Sequence, residues 1–166
     1  MGCICYRSDV SVHNVIWSAT ASAVSSVEVI ENSLSWLTGE LADISHEKVK
    51  SYHGAKMVRI HARISKKKAA KQSIAFMGSE LLKNLADSGD LKMRIDEDNV
   101  LHIRLSLSSL VGGSIALPEG NEEQVKGRIK LEVYPGQDFL ENAKSLLKDA
   151  ADFANENGFP REFENV

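Results

Sequence analysis

Apolar and basic residues alternate with a period of two along residues 56–64, KMVRIHARI, and this alternation constrains the fold more than any other feature of the chain. The apolar positions share one parity: Val58, Ile60, Ala62 and Ile64. The other parity is basic: Arg59, His61 and Arg63. Because successive side chains of a strand point to opposite faces, the segment predicts a strand with one buried face and one cationic face.

Similar alternation predicts further strands at residues 91–96, 100–107 and 125–134. A first strand is expected within residues 12–23, where one parity is apolar or small: Val15, Trp17, Ala19 and Ala21. Residues 46–53 are ambiguous and are compatible with a short strand leading into residues 56–64. The glycine-rich connection after residue 107 leaves room for another short strand around Ile115.

Three helices are predicted from capping residues and from apolar residues spaced three or four apart. Their expected spans are residues 25–38, 65–86 and 138–157. Capping boxes mark two of the starts: Ser25 with Glu28, and Asp138 with Glu141. Two of the ends are marked by glycine: Gly39 and Gly158.

The order of these elements predicts a single α+β domain, residues 12–158. We expect a mixed, mainly antiparallel sheet of five or six strands with about three helices packed on one face. An apolar fraction of 43% with 26% charged residues is ordinary for a globular domain and argues against intrinsic disorder. Residues 1–11 are expected to form a disordered leader and residues 159–166 a loose tail.

The strands predicted at residues 56–64, 91–96, 100–107 and 125–134 place their cations opposite their apolar sets, so basic residues should collect on one open surface of the sheet. Only Asp96 and Glu132, at strand ends, are expected to oppose them. Like charges on neighbouring strands repel, and a local cost of that kind is expected at a functional surface rather than on an ordinary solvated face. Because the net charge is −3, this segregation also implies a strongly acidic remainder.

The lysines of residues 66–68 are expected in the first turn of the second helix, where the helix dipole disfavours cations but favours a bound phosphate. The alternative interpretation is that these three lysines are flexible side chains in solvent. A broad basic sheet with no phosphate-binding glycine motif matches a polyanion better than a small metabolite. The candidate RNA-binding residues are Arg59, His61, Arg63, Lys66, Lys67, Lys68, Lys92, Arg94, His102, Arg104, Lys126, Arg128 and Lys130.

Aromatic residues do not interleave with these charges, so structured or double-stranded RNA, read through its phosphates and shape, is favoured over stacked single-stranded bases. One alternative is an adaptor or homodimer that docks an acidic partner through the same surface. Another is a phosphodiesterase-like enzyme in which His61 and His102 meet across neighbouring strands as an acid–base pair. We expect no enzyme activity and no cofactor. A metal site is not expected either, because His13, His46 and His53 lack paired ligand spacing.

The chain is expected to lie in the cytoplasm, because no apolar run approaches the roughly 20 residues of a membrane span. Its two cysteines, Cys3 and Cys5, lie one residue apart where they cannot staple a fold, which fits a reducing compartment. The opening MGCICY is similar to a dual acylation signal, but Tyr6 stands where that signal usually carries a hydroxyl-bearing serine or threonine.

Three segments, YHGAKMVRIHARISKKKAAKQ, RIDEDNVLHIRLSL and VKGRIKLEVYPGQ, resemble the archaeal RNA-binding family described as a predicted exosome subunit. The resemblance extends over roughly residues 12–155 and rests on the order and spacing of these segments. It implies a fold similar to that of the large-subunit ribosomal protein that binds 5S rRNA, an archaeal cytosolic origin, and exosome or ribosomal components as partners. The chain departs from the family pattern at residues 18–22, SATAS, where the family usually has HATED.

Overall fold

The computed structural model describes residues 10–21, 26–50, 54 and 56–160. Their strands form one sheet: β1 (Ser11–Ala21), β2 (Asp43–Lys50), β3 (Lys56–Ile64), β4 (Val100–Ser106) and β5 (Gln124–Glu132). The strand order is β2–β3–β1–β5–β4, and every neighbouring pair is antiparallel. The α+β fold and the five-stranded count agree with the prediction. The described part of the ambiguous segment, residues 46–50, belongs to the edge strand β2.

The helices among the described residues are α1 (Val27–Leu37), α2 (Lys67–Ile74), α3 (Ser79–Ala86), α4 (Leu107–Val111) and α5 (Phe139–Asn157). Two 3₁₀ turns accompany them, at Ala75–Met77 and Leu91–Arg94. The apolar faces of the helices form one core with the inward side chains of the sheet, among them Trp17, Ile60 and Ile129. The helices therefore cover one face of the sheet, and the other face carries exposed side chains.

The starts of α1 and α5 follow the capping rule. Ser26 accepts a hydrogen bond from the Val29 amide at 3.3 Å, so α1 starts one residue later than the predicted box, whose Ser25 lies outside the described residues. Asp138 is the N-cap residue of α5 as expected, and its side chain accepts from the Leu140 amide at 3.1 Å. The predicted leader and tail also lie outside the described residues, except for their innermost positions.

The prediction of one long second helix is wrong. The chain breaks between α2 and α3 at Gly78, whose φ of 94° is a conformation that side chains rarely adopt. A Cβ there would also lie 2.8 Å from Cδ of Pro160. The apolar spacing continues across the break because both helices pack on the same core, and the periodicity therefore hides it.

The predicted strand at residues 91–96 is also wrong. Residues Leu91–Arg94 form a 3₁₀ turn in which Leu91 is buried and Met93 is 87% exposed, and only an isolated bridge of Ile95 with Leu101 remains. Around Ile115 there is no strand; instead α4 follows β4 directly, with Ser106 as its N-cap. Alternation over three apolar residues did not discriminate a strand from a tight turn.

Candidate nucleic-acid interface

The sheet surface turned away from the helices, here called the open face, carries the outward side chains of all five strands. Its exposed cations are Arg59, Arg63, Arg104, Lys126 and Arg128. Its partly exposed basic residues are His61, His102 and Lys130. The sequence-predicted strand parity placed these eight residues together, and the structure brings them onto this one surface.

The central strand β1 separates two groups of these cations. Arg63 of β3 lies opposite Ile16 of β1, and Ile16 lies opposite Arg128 of β5. On the far side of β5, Lys126 lies opposite Arg104 and Arg128 lies opposite His102. Cations on β4 and β5 are therefore direct neighbours. The cations on β3 are separated from those on β5 by β1, whose outward side chains here are uncharged.

Strand β2 adds carboxylates that the sequence analysis missed. Its outward positions include Asp43 and Glu47, which lie opposite Arg63 and Arg59 respectively. The expectation that only Asp96 and Glu132 oppose the cations is therefore wrong. The missed signal was the alternation of Asp43, Ser45 and Glu47 within DISHEKVK, which becomes readable only when the segment is assigned as a strand paired with β3.

Glu47 closes a hydrogen-bonded chain across three strands. Its Oε2 lies 3.2 Å from Nε2 of His61, and Nδ1 of His61 lies 2.8 Å from Oγ of Ser18. Because the carboxylate only accepts, Nε2 of His61 is the donor in its contact with Glu47. Arg59 Nη1 lies 3.9 Å from the same Glu47 oxygen. These side chains thus find their partners within the protein.

His61 and His102 do not meet. Their strands, β3 and β4, are separated by β1 and β5, so three strand spacings alone place the two residues at least about 14 Å apart. His102 Nε2 instead lies 2.8 Å from Oδ2 of Asp96. That contact with His102, followed by the backbone N–H groups of Val100 and Asp98, lowers the pKa of the Asp96 carboxyl. The acid–base pair considered from the sequence is not formed.

Two candidate residues leave the open face because their segment is not a strand. Lys92 and Arg94 lie on the 3₁₀ turn Leu91–Arg94, and Arg94 Nη2 lies 3.4 Å from Oδ2 of Asp90. The contacts of Asp90 with Ser88 and then with Arg94 lower the pKa of its carboxyl. Both cations belong to the loop that leads into β4 and do not extend the sheet surface.

The three lysines lie where β3 runs into α2. Lys66 is the N-cap residue, without a side-chain capping bond, and Lys67 and Lys68 begin the helix. Lys67 Nζ lies 3.2 Å from Oε1 of Glu132. The Tyr134 hydroxyl donates to Glu132 and lowers the pKa of its carboxyl, and Lys67 lowers this pKa further. The contact with Glu132 in turn raises the pKa of Tyr134.

Groups of three or more His, Cys, Asp or Glu residues placed to hold a metal ion are absent from the part of the chain that the structure describes. No helix among those described residues has both the length and the hydropathy that a bilayer span requires.

Comparison with known proteins matches the chain to one protein family. Residues 14–133 match the model of a family described as RNA binding. No curated protein sequence matches the chain significantly.

Solved archaeal structures share the fold. A DUF54 protein from Methanothermobacter thermautotrophicus superposes with a TM-score of 0.69 at 21% identity, covering 82% of this chain and 98% of its own. One from Archaeglobus fulgidus gives 0.64 at 25% identity, covering 81% and 99%. One from Sulfolobus solfataricus gives 0.59 at 16% identity, covering 81% and 96%. The five-stranded sheet with its helical layer is thus the fold of these proteins as well.

Proposed function

Because this chain belongs to the RNA-binding family whose model matches residues 14–133, we propose that it binds structured or double-stranded RNA through the open face. Recognition is through the phosphate backbone and the shape of the RNA. The observation that carries this proposal is the set of cations on neighbouring strands β4 and β5, with Lys126 directly opposite Arg104. Like charges in that position repel and are stabilised when a polyanion lies over them.

The composition of the open face favours phosphates over bases. The outward positions of β1 near its centre are Asn14, Ile16, Ser18 and Thr20, none of them aromatic. Stacking platforms for single-stranded bases need exposed rings on the strands. A surface of cations and small polar groups instead suits the phosphates and 2′-hydroxyls of a helical RNA.

Binding to a blunt RNA duplex of roughly 20 base pairs tests the proposal, measured by fluorescence anisotropy between about 50 and 200 mM salt. The logarithm of the affinity should fall linearly with the logarithm of the salt concentration, by roughly 0.7–0.9 per phosphate contacted. A triple variant with Arg63→Glu, Arg104→Glu and Arg128→Glu should lower both the affinity and this slope, because it reverses three of the contacting charges.

The matched control reverses three lysines on the helical layer: Lys83, Lys144 and Lys148. Both triple variants change the net charge of the protein equally. A difference in RNA affinity between them therefore depends on where on the protein surface the RNA binds. The helix-layer variant should retain most of the affinity. Equal losses in the two variants, or no affinity of the wild-type protein for the duplex at low salt, would contradict the proposal.

We propose binding without catalysis. The two open-face histidines are too far apart to share a substrate atom, and the strand amides next to Ser18 lie in a central strand paired on both sides. A nucleophilic serine would need free N–H donors for a developing oxyanion beside it. Turnover of the bound RNA by the wild-type protein, lost in His61→Gln, would contradict this part.

The cellular role follows the family resemblance. We propose a cytoplasmic part in RNA processing with the exosome or in ribosome assembly. Crosslinking to RNA in cells, followed by sequencing, should recover ribosomal precursors or exosome substrates. Copurification of a protein partner or a second copy that survives nuclease treatment, with no crosslinked RNA, would instead support an adaptor that docks through the same surface.

A further inference from the structure

The cations of the open face differ in whether a carboxylate already neutralises them. Glu47 lies within ion-pair distance of Arg59 at 3.9 Å and of His61 at 3.2 Å. This corner of the sheet, where β2 meets the first half of β3, carries little uncompensated positive charge. A phosphate placed there would meet the Glu47 carboxylate as well as the cations.

A second set of cations has no such compensation. Among the ion pairs of the described residues, none involves the following six side chains: Arg63, Lys66, Lys68, Arg104, Lys126 and Arg128. Arg104 donates weakly to Gln124 Oε1 at 3.4 Å, which leaves its charge in place. Asp43 lies opposite Arg63 in the register but forms no ion pair with it within that part of the chain.

These six residues follow one line across the sheet. Arg104 and Lys126 are direct neighbours on β4 and β5, and Arg128 lies two residues further along β5, about 7 Å away. Arg63 shares the cross-strand row of Arg128, about 10 Å away across Ile16. The chain then runs from Arg63 through the end of β3 to Lys66 and Lys68.

We infer that one RNA backbone crosses the open face diagonally, from Arg104 and Lys126 through Arg128 and Arg63 to the lysines before α2, and that Glu47 keeps it away from Arg59 and His61. The inference rests on the proposed function and states which part of that surface holds phosphates. The diagonal follows because the free cations step from the row of Arg104 and Lys126 to the neighbouring row of Arg128 and Arg63, two residues away. Glu47, which pairs with Arg59 and His61, excludes the remaining corner at the β2 edge.

Single neutral substitutions test the path with the same RNA duplex. Arg128→Gln and Arg63→Gln should each lower the affinity and reduce the log–log salt slope by roughly 0.7–0.9, the loss of one phosphate contact. Arg59→Gln is the matched control, because it removes the same charge from the same face at a residue already paired with Glu47. It should leave the slope unchanged within error.

Glu47→Gln is expected to increase RNA affinity, which the loss of a purely structural contact of Glu47 would not do. Removing the carboxylate frees Arg59, so the affinity and the salt slope should both increase, the slope by up to roughly 0.7–0.9. Adding Arg59→Gln to Glu47→Gln should abolish that gain. Circular dichroism and thermal unfolding establish that each variant is folded before its affinity is compared.

An equal slope reduction in Arg59→Gln and Arg128→Gln would overturn the diagonal path and leave RNA binding by the open face intact. So would an unchanged affinity in Glu47→Gln. Failure of the proposed function is distinguishable, because the wild-type protein would then show no salt-dependent affinity for the duplex at all.

Discussion

The contact between Gly127 and Trp17 predicts a specific cost for the substitution Gly127→Ala. The two residues are directly opposite in the β1–β5 ladder, and Trp17 is buried, with 3% of its surface exposed. A Cβ on residue 127 would lie 2.4 Å from Cζ3 and 2.7 Å from Cε3 and Cη2 of the indole ring. The ring or the strand must therefore move.

The size of the effect follows from two opposing contributions. Forcing an extra methyl group into a packed core costs about 1–3 kcal/mol. Alanine is otherwise favoured over glycine within a strand by roughly 0.5–1 kcal/mol, because glycine loses more conformational entropy on folding. The clash dominates at these distances, so we expect Gly127→Ala to lower the free energy of unfolding by about 1–2 kcal/mol.

A double-mutant cycle with Trp17→Leu isolates the cause. Trp17→Leu removes the ring atoms that the new methyl group meets, although it destabilises the protein by leaving a cavity. In that background Gly127→Ala should be neutral or should stabilise by up to about 1 kcal/mol. Urea unfolding of the four proteins should therefore give a coupling energy of about 1–3 kcal/mol.

The reasoning is refuted if Gly127→Ala has the same effect in both backgrounds to within about 0.5 kcal/mol, since independent sites add to that precision. The outcome bears on the open face as well. Lys126 and Arg128 flank Gly127, so the close packing of glycine on tryptophan sets the position of both cations relative to β1.

Three further substitutions test other parts of the fold. Asp138→Ala should lower the free energy of unfolding by about 1 kcal/mol in urea titrations, whereas Asp138→Asn, which keeps a capping oxygen, should not. Gly78→Ala should lower the melting temperature measured by calorimetry, because φ at this position is 94° and the new Cβ would lie 2.8 Å from Pro160 Cδ. Because folding lowers the pKa of Asp96 below its ordinary 3.8, the stability this carboxylate contributes is present above about pH 4 and is lost as the pH falls through its folded pKa. Asp96→Asn should therefore be less stable than wild type at pH 7 and converge with it in unfolding measurements below about pH 4, while a difference that grows towards low pH would contradict the assignment.

The helix caps and the inward or outward parity of strand side chains could be predicted because both depend on residues close together in the sequence. Asp138 and Gly158 bound α5 as expected, since a capping oxygen and a left-handed glycine act on amides and carbonyls a few residues away. Local patterns were misleading where the connection between two elements constrains the chain. Residues 91–96 alternate like a strand, yet they lie within residues 87–99, which connect α3 to β4, and Leu91–Arg94 form a 3₁₀ turn in that connection.

The amino-acid sequence by itself determined which side of β3, β4 and β5 is basic, because a period of two assigns every side chain of a strand to one face whatever its neighbours are. Only the tertiary structure decided which strands are adjacent. It placed β1 between β3 and β5, separated His61 from His102, and brought Glu47 beside Arg59. Pairing across strands depends on packing the whole sheet against its helices, so the partition of cations into neutralised and free ones could not be read from any single segment.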